Sequence, residues 1–180
     1  FISAGLNFGS GFFNEGGVVP RQHFSRGGQD DPEAISEYLI GKESAGDPTA
    51  RAKTSSAAGL GQFTDSTART VLQRNPEIVR TLQEQGVQYD PQQKGFAATL
   101  PEDVQRQMIN AHVRQQQEVL RQQGYEPTRE NIRMNWFLGE SGGPAFLGAL
   151  RDSPNEPATA FVTPEAVKAN QSIFFNKDGA

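Results

Sequence analysis

Apolar residues recur at helical spacing along most of this chain, and strand-like alternation is nearly absent. The first such pattern places Ile35, Leu39 and Glu43 four residues apart, so that they share one face of a helix. Asp31 precedes the pattern as a helix cap, and Gly46 follows it as a helix breaker. The spacing therefore predicts a helix that ends at a carboxylic acid turned towards the core.

Further helices are predicted wherever a proline or a capping threonine precedes apolar residues at the same spacing. They begin at Asn75-Pro76, Pro101, Thr128, Pro144 and Thr163-Pro164, and Gly86 and Gly124 end the first two. The glutamines of the long second helix, Gln115, Gln116 and Gln117, are expected to face water. The predicted fold is mainly α, with a cleft between the Glu43 helix and the later helices.

The length of 180 residues fits one domain with a core of useful size. Residues 1–30 are rich in Gly and Phe, which predicts an irregular arm or linker, and residues 31–180 form the predicted folded domain. The chain begins with Phe rather than Met, and we interpret it as a piece of something longer.

Composition and charge argue against several classes of function. The net charge of −4 gives no indication of nucleic-acid binding, and the absence of Cys excludes a disulfide framework. The two histidines are far apart in sequence, so neither a metal site nor a cofactor is predicted. No run of 18 apolar residues exists to span a membrane, and no signal peptide is visible.

Glu43 is the candidate for chemistry. A carboxyl between apolar neighbours loses hydration, and this loss disfavours its charged form. A glutamic acid that keeps its proton near neutral pH can donate it to a glycosidic oxygen. The alternative is a solvated residue at a frayed helix end, since most Glu side chains lie at the surface.

Residues 43–63 carry a spaced motif. Glu43-Ser44 is followed by a loop of small residues over 45–58 and then by the turn Gly59-Leu60-Gly61-Gln62-Phe63. This segment resembles the soluble lytic transglycosylases, glycoside hydrolase family 23, which have a goose-type-lysozyme-like fold. That family has Glu-Ser at a helix end and a Gly-Leu-Met-Gln-hydrophobic turn. Gly61 replaces the family's Met and is expected to remove a side chain from the cleft floor.

The family's third motif, Ala-Tyr-Asn-Ala-Gly, has a looser counterpart in Asn135-Trp136-Phe137-Leu138-Gly139, where the glycine and an aromatic residue are kept. Phe-Leu-Gly at 137–139, Gly-Pro-Ala-Phe-Leu at 143–147 and Ala-Asn-Gln-Ser-Ile-Phe at 169–174 are similar to a divergent branch in phage and alpha-proteobacterial proteins. The resemblance spans residues 31–176.

The resemblance implies cleavage of the β-1,4 bond between N-acetylmuramic acid and N-acetylglucosamine, leaving a 1,6-anhydromuramoyl end. Glu43 would protonate the leaving oxygen and then accept a proton from the muramoyl C6 hydroxyl. Most glycosidases use a pair of carboxylates. The nearest second candidates here are Asp47 and Asp65, and a turn and a helix start explain them more simply.

The residues expected to bind the sugar are Ser44, Gly59, Gly61, Gln62, Phe63 and Trp136. Gln62 would hydrogen-bond the sugar amide or hydroxyls, and the two glycines would let the backbone approach closely. Trp136, the only Trp, would either stack on a sugar ring or pack in the core. Ser44 would either orient Glu43 or cap the helix, and Ser55 and Ser56 have similar alternatives.

The sequence thus favours a peptidoglycan lytic transglycosylase domain of a phage virion protein, which opens the cell wall for genome ejection. The expected partners are glycan strands and other virion proteins or the rest of a longer chain. The expected location is the virion, acting in the host periplasm and cell wall, with the bacterial periplasm as the alternative. The rival functions are a hydrolytic muramidase on the same fold and a non-catalytic structural module of a virion.

Overall fold

A computed structural model of the protein describes residues 31–153, 155–162 and 164, and over these residues the chain is mainly helical, as predicted. The predicted arm at 1–30 and the motif at 169–174 lie outside the described residues. So does the last predicted helix, apart from Pro164.

Five α-helices form the described part of the chain: α1 Pro32–Glu43, α2 Asp65–Arg74, α3 Pro76–Glu84, α4 Glu102–Gln122 and α5 Arg129–Asp152. Short 3-10 helices occupy Phe96–Thr99 and Ala158–Phe161. Within the described ranges, extended pairing is limited to isolated bridges of Ala58 with Arg51 and with Phe63. None of these helices combines the length and apolarity that crossing a bilayer requires.

Local capping explains where the helices begin and end. The Asp31 carboxylate accepts the backbone N–H of Ala34 at 3.2 Å, which satisfies a donor that the first turn of α1 leaves open. Thr128 caps α5 in the same way. Gly86 (φ 67°) follows α3 and Gly124 (φ 77°) follows α4, as the sequence predicted.

α5 is broken at Gly139, whose φ of 80° and ψ of 171° are not helical. The sequence predicted a new helix at Pro144, and this boundary is wrong because Pro144 already lies inside the second half of α5. Only glycine adopts the Gly139 conformation without a Cβ clash, so the glycine rather than the proline sets the break.

α4 lies at the centre of the fold and contacts α1, α2, α3 and α5. The apolar part of its buried surface consists of Val104, Met108, Ile109, Val113 and Leu120. A smaller apolar cluster joins three residues of α5, Met134, Leu138 and Phe146. Because helices cover α4 on several sides, polar residues of α4 are buried too.

The prediction that the α4 glutamines face water is wrong for two of them. Gln116 is 1% exposed and Gln117 is 3% exposed, while Gln115 is partly buried. Gln116 accepts a hydrogen bond from Asn135 Nδ2 at 2.7 Å, and its Nε2 lies 3.3 Å from His112 Nε2. These contacts replace the water that the sequence led us to expect.

Gln105, also buried on α4, joins three separate stretches of backbone. Its Oε1 accepts the Leu60 N–H at 2.7 Å, and its Nε2 donates to the carbonyls of Leu100 at 2.8 Å and Pro48 at 3.1 Å. One side chain therefore fixes both the loop after α1 and the turn at 59–63 against the central helix.

We predict that Gln105→Met, which keeps the length of the side chain but removes these bonds, destabilises the protein by roughly 2–4 kcal/mol because buried backbone groups lose their partners. Urea unfolding measures the change. The matched control, Gln107→Met at an exposed position of the same helix, should stay within about 0.5 kcal/mol of the parent. Equal stability of the two variants would show that the Gln105 bonds contribute nothing.

Candidate active site

Glu43 is the last residue of α1, and the helix turns it the same way as the buried residues Ile35 and Leu39. Its side chain is partly buried, and the loss of water raises the pKa of the carboxyl from 4.5 to about 7. At neutral pH a large share of the molecules therefore hold a proton on Glu43. A carboxylic acid in this state can donate a proton and, once ionised, take one back.

Arg133 limits the rise of the Glu43 pKa. This arginine lies on α5, which packs on α1, and it is only 2% exposed. Its positive charge favours the ionised carboxylate and so acts against the effect of burial. The sequence analysis missed Arg133, because only the packing of α1 on α5 connects residues so far apart in the chain.

Ser44 closes the C-terminal end of α1. Its hydroxyl donates to the Ile40 carbonyl and accepts the Gly46 N–H, both at 3.2 Å. The capping role considered from the sequence is therefore present, and the orienting of Glu43 or of a substrate by Ser44 stays a prediction.

The two other carboxylates considered from the sequence have structural partners. Asp47 accepts both the backbone N–H (2.8 Å) and the hydroxyl (2.7 Å) of Thr49, and these bonds hold the pKa of Asp47 below its ordinary value. Asp65 accepts the Gly95 N–H at 2.9 Å, and its own N–H is bound by the Ser56 hydroxyl at 3.1 Å. Both residues fit the turn and helix-start roles expected for them.

Gln62 holds the turn to the preceding loop. Its backbone has a left-handed φ of 47°, and its Nε2 donates to the carbonyls of Gly59 at 2.9 Å and Ala50 at 3.3 Å. Left-handed geometry costs a non-glycine residue on the order of 1 kcal/mol, and these bonds offset it. In the described part of the chain Oε1 has no hydrogen-bond partner, so it is the atom that Gln62 can offer to a sugar.

Gly59 and Gly61 are buried, and a side chain at either position would point towards the core. A Cβ at Gly59, whose φ is 76°, would overlap the amide of Gln105. A Cβ at Gly61 would lie 2.9 Å from Ile109 Cγ1 and 3.2 Å from Trp136 Cζ2. The close approach that these glycines permit is therefore with α4 and Trp136, not at an open cleft floor, and their contact with a sugar stays a prediction.

Trp136 joins α5 to the same turn. Its indole N–H donates to the Gly61 carbonyl at 3.0 Å, and its ring stacks on Phe63 with centroids 5.0 Å apart. The His112 imidazole meets the Trp136 ring edge-on at 5.0 Å. Phe63 is 5% exposed and packs in the core, whereas Trp136 is only partly buried. Trp136 thus has the core role considered from the sequence, and its stacking on a sugar stays a prediction.

α5 connects the acid to the turn. Arg133, whose charge acts on Glu43, and Trp136, which binds the turn, are three residues apart and so lie on neighbouring positions of one helix face. The loop after α1 is bonded to the turn from its other side, through Ala50 and Gly59, with 2.8 Å between the carbonyl oxygen and the nitrogen. Among the described residues, no group of acidic, His or Cys side chains is arranged to hold a metal ion.

Comparisons with protein-family models, with curated proteins and with solved structures find no match to this chain. No relative therefore supplies a function, and the chain's own residues must carry any proposal.

We predict that Gly61→Ala destabilises the protein by about 1–3 kcal/mol, since the new methyl group overlaps Ile109. The double variant with Ile109→Ala should lose at least about 0.5 kcal/mol less stability than the sum of the two single changes, because the smaller residue at 109 leaves room for the methyl group. Thermal unfolding of the parent, the two single variants and the double variant measures this coupling. Gly41→Ala, where nothing lies within 4 Å, is the control and should be neutral or stabilising. Strict additivity would contradict the contact.

We predict that the pKa of Glu43, measured by carbon NMR of its carboxyl, lies near 7 and rises in Arg133→Met. The folded protein then holds this proton up to about pH 7, whereas the unfolded chain releases it near 4.5, so stability falls as pH rises between these values. Glu43→Gln should abolish this loss and gain roughly 2 kcal/mol over the parent at pH 8. A Glu43 pKa near 4.5, or pH–stability curves of the parent and Glu43→Gln that run parallel, would contradict the burial of the carboxyl.

Proposed function

We propose that this chain is a peptidoglycan lytic transglycosylase domain with the lysozyme-like fold, and that Glu43 is its catalytic acid. The observation that carries the proposal is the partly buried Glu43 carboxyl, with a pKa of about 7, at the end of α1. The mainly helical fold and the hydrogen-bonded turn at 59–63 support it, since both fit the resemblance described from the sequence.

In the proposed reaction the Glu43 carboxyl acts first as an acid and then as a base. Protonated Glu43 donates its proton to the glycosidic oxygen as the bond to the muramoyl C1 breaks, and N-acetylglucosamine leaves as an alcohol. Ionised Glu43 then takes the proton of the C6 hydroxyl while O6 bonds to C1, and the acid is restored. A pKa near the working pH suits both steps, and Arg133 stabilises the ionised form between them.

Among the described residues, the two further carboxylates considered from the sequence already have structural roles, and this favours the transglycosylase over a glycosidase with paired acids. Asp47 and Asp65, the candidates nearest in sequence, already accept hydrogen bonds from neighbouring residues. With the C6 hydroxyl as nucleophile, no second base is needed to activate a water molecule. A hydrolytic muramidase on the same fold is the second candidate, and the type of product end distinguishes it.

The proposed sugar contacts are the Gln62 Oε1 atom, the exposed part of Trp136 and the hydroxyl of Ser44. We further propose that the domain belongs to a phage virion protein and opens the host cell wall during genome ejection. The sequence likeness of residues 137–147 and 169–174 to a phage and alpha-proteobacterial branch supports this context. Glycan strands and other virion proteins, or the rest of a longer chain, are then its partners.

We predict that the protein releases anhydromuramoyl muropeptides from purified sacculi and that Glu43→Gln lowers the rate by on the order of 100-fold or more, because the amide cannot donate the proton. Mass spectrometry of the released fragments identifies the ends. Glu33→Gln, an exposed glutamate on the same helix, is the matched control and should keep full activity.

Three other outcomes point elsewhere. Reducing muramoyl ends would identify the hydrolytic muramidase. Unchanged cleavage by Glu43→Gln would remove Glu43 from the mechanism. No cleavage by the parent protein would favour the non-catalytic structural module.

A further inference from the structure

Three cations surround the ring of one tyrosine on α1. From the ring centroid of Tyr38, Arg129 Cζ lies at 5.1 Å, Lys42 Nζ at 5.8 Å and Arg133 Cζ at 6.0 Å. Lys42 belongs to α1, and the two arginines belong to α5. We call these four residues the Tyr38 patch. The protein as a whole carries a net charge of −4, so the patch concentrates positive charge against the overall balance.

Helix stability does not explain Arg129. Arg129 is the first residue of α5, where the positive end of the helix dipole disfavours a cation. Arg133 is 2% exposed, and its charge acts on the Glu43 carboxyl as well as lying near the Tyr38 ring. The Glu130 carboxylate pairs with Arg129 at 2.7 Å, and this pair is partly exposed. Arg129 therefore has guanidinium donors left over for an external anion.

The Tyr38 patch lies directly beside the candidate acid. Lys42 immediately precedes Glu43 in the last turn of α1, and Arg133 is the residue whose charge acts on the Glu43 carboxyl. The side chain of Arg129 remains 44% exposed even while it is paired, and Lys42 is exposed. Donors of the patch can therefore reach a molecule bound at Glu43.

We propose that the Tyr38 patch is a carboxylate-binding site for an anionic group of the bound glycan strand, with Arg129 and Lys42 as its accessible donors. This inference rests on the proposed function. Guanidinium groups bind carboxylates through two parallel hydrogen bonds, and an incoming carboxylate can replace Glu130 as the partner of Arg129. A peptidoglycan strand offers two such groups, the carboxylates of its stem peptides and the lactyl carboxylate that is exposed when the peptide is removed.

The test measures affinity by calorimetry in the Glu43→Gln protein, so that no ligand is cleaved. The ligands are chitohexaose, which has no carboxylate, a muramoyl hexasaccharide with tetrapeptide stems, and the same hexasaccharide after amidase treatment. Arg129→Gln and Lys42→Gln are each added to this protein. Arg80→Gln is the control, because it removes one exposed positive charge from α3, which lies away from the patch.

We expect each patch variant to bind the peptide-bearing hexasaccharide about 5-fold more weakly or worse, and chitohexaose with unchanged affinity. A loss confined to the peptide-bearing ligand assigns the site to the stem peptide. An equal loss on the amidase-treated ligand shows that the site also accepts the lactyl carboxylate, which is free only in that ligand. Arg80→Gln should change none of the three affinities.

Equal loss on all three ligands, no loss on any of them, or no binding at all would overturn the proposal. The proposed function is judged separately, by the products that the parent protein releases from sacculi. Cleavage by the parent together with unchanged affinities would therefore reject the Tyr38 patch and leave the transglycosylase in place.

Discussion

A carboxyl group deprived of water is the constraint on which the candidate site depends. Burial raises the pKa of Glu43 by disfavouring the charged form, while the Arg133 charge lowers it by favouring the anion. The two influences come from different helices, α1 and α5, and together they bring the pKa to about 7. Any change that shifts α5 relative to α1 therefore changes the chemistry of Glu43 as well as the packing.

The rest of the site is a small irregular scaffold held by side-chain amides. Gln105 fixes the loop and the turn to α4, and Gln62 fixes the turn to the loop. Trp136 then joins this scaffold to α5 through the Gly61 carbonyl. Because hydrogen bonds are directional, this arrangement sets the position of the turn more narrowly than apolar contacts alone would. The segment has almost no regular secondary structure and yet keeps a defined shape.

Features set by local chemistry could be predicted from the sequence, whereas contacts between distant segments could not. Asp31, Gly86 and Gly124 act on their own helix ends, so their effects could be predicted. The burial of Gln116 depends on helices that cover α4 from other parts of the chain, and no local pattern reports it. The same holds for Arg133, which meets Glu43 only after α1 packs on α5. At Gly139 the glycine itself sets the break, upstream of Pro144, which the sequence pattern marks as a helix start.

The contact of Gly61 with Trp136 makes these two positions a coupled pair. The family that this segment resembles has a Met at the position of Gly61 and a Tyr at the position of Trp136. Here position 61 has no side chain, and the Trp136 indole lies against it. Loss of the side chain at 61 leaves room for the larger aromatic ring, so both letters of the motif change together. Relatives of this protein would then be recognised by the reciprocal change at two positions rather than by identity at either.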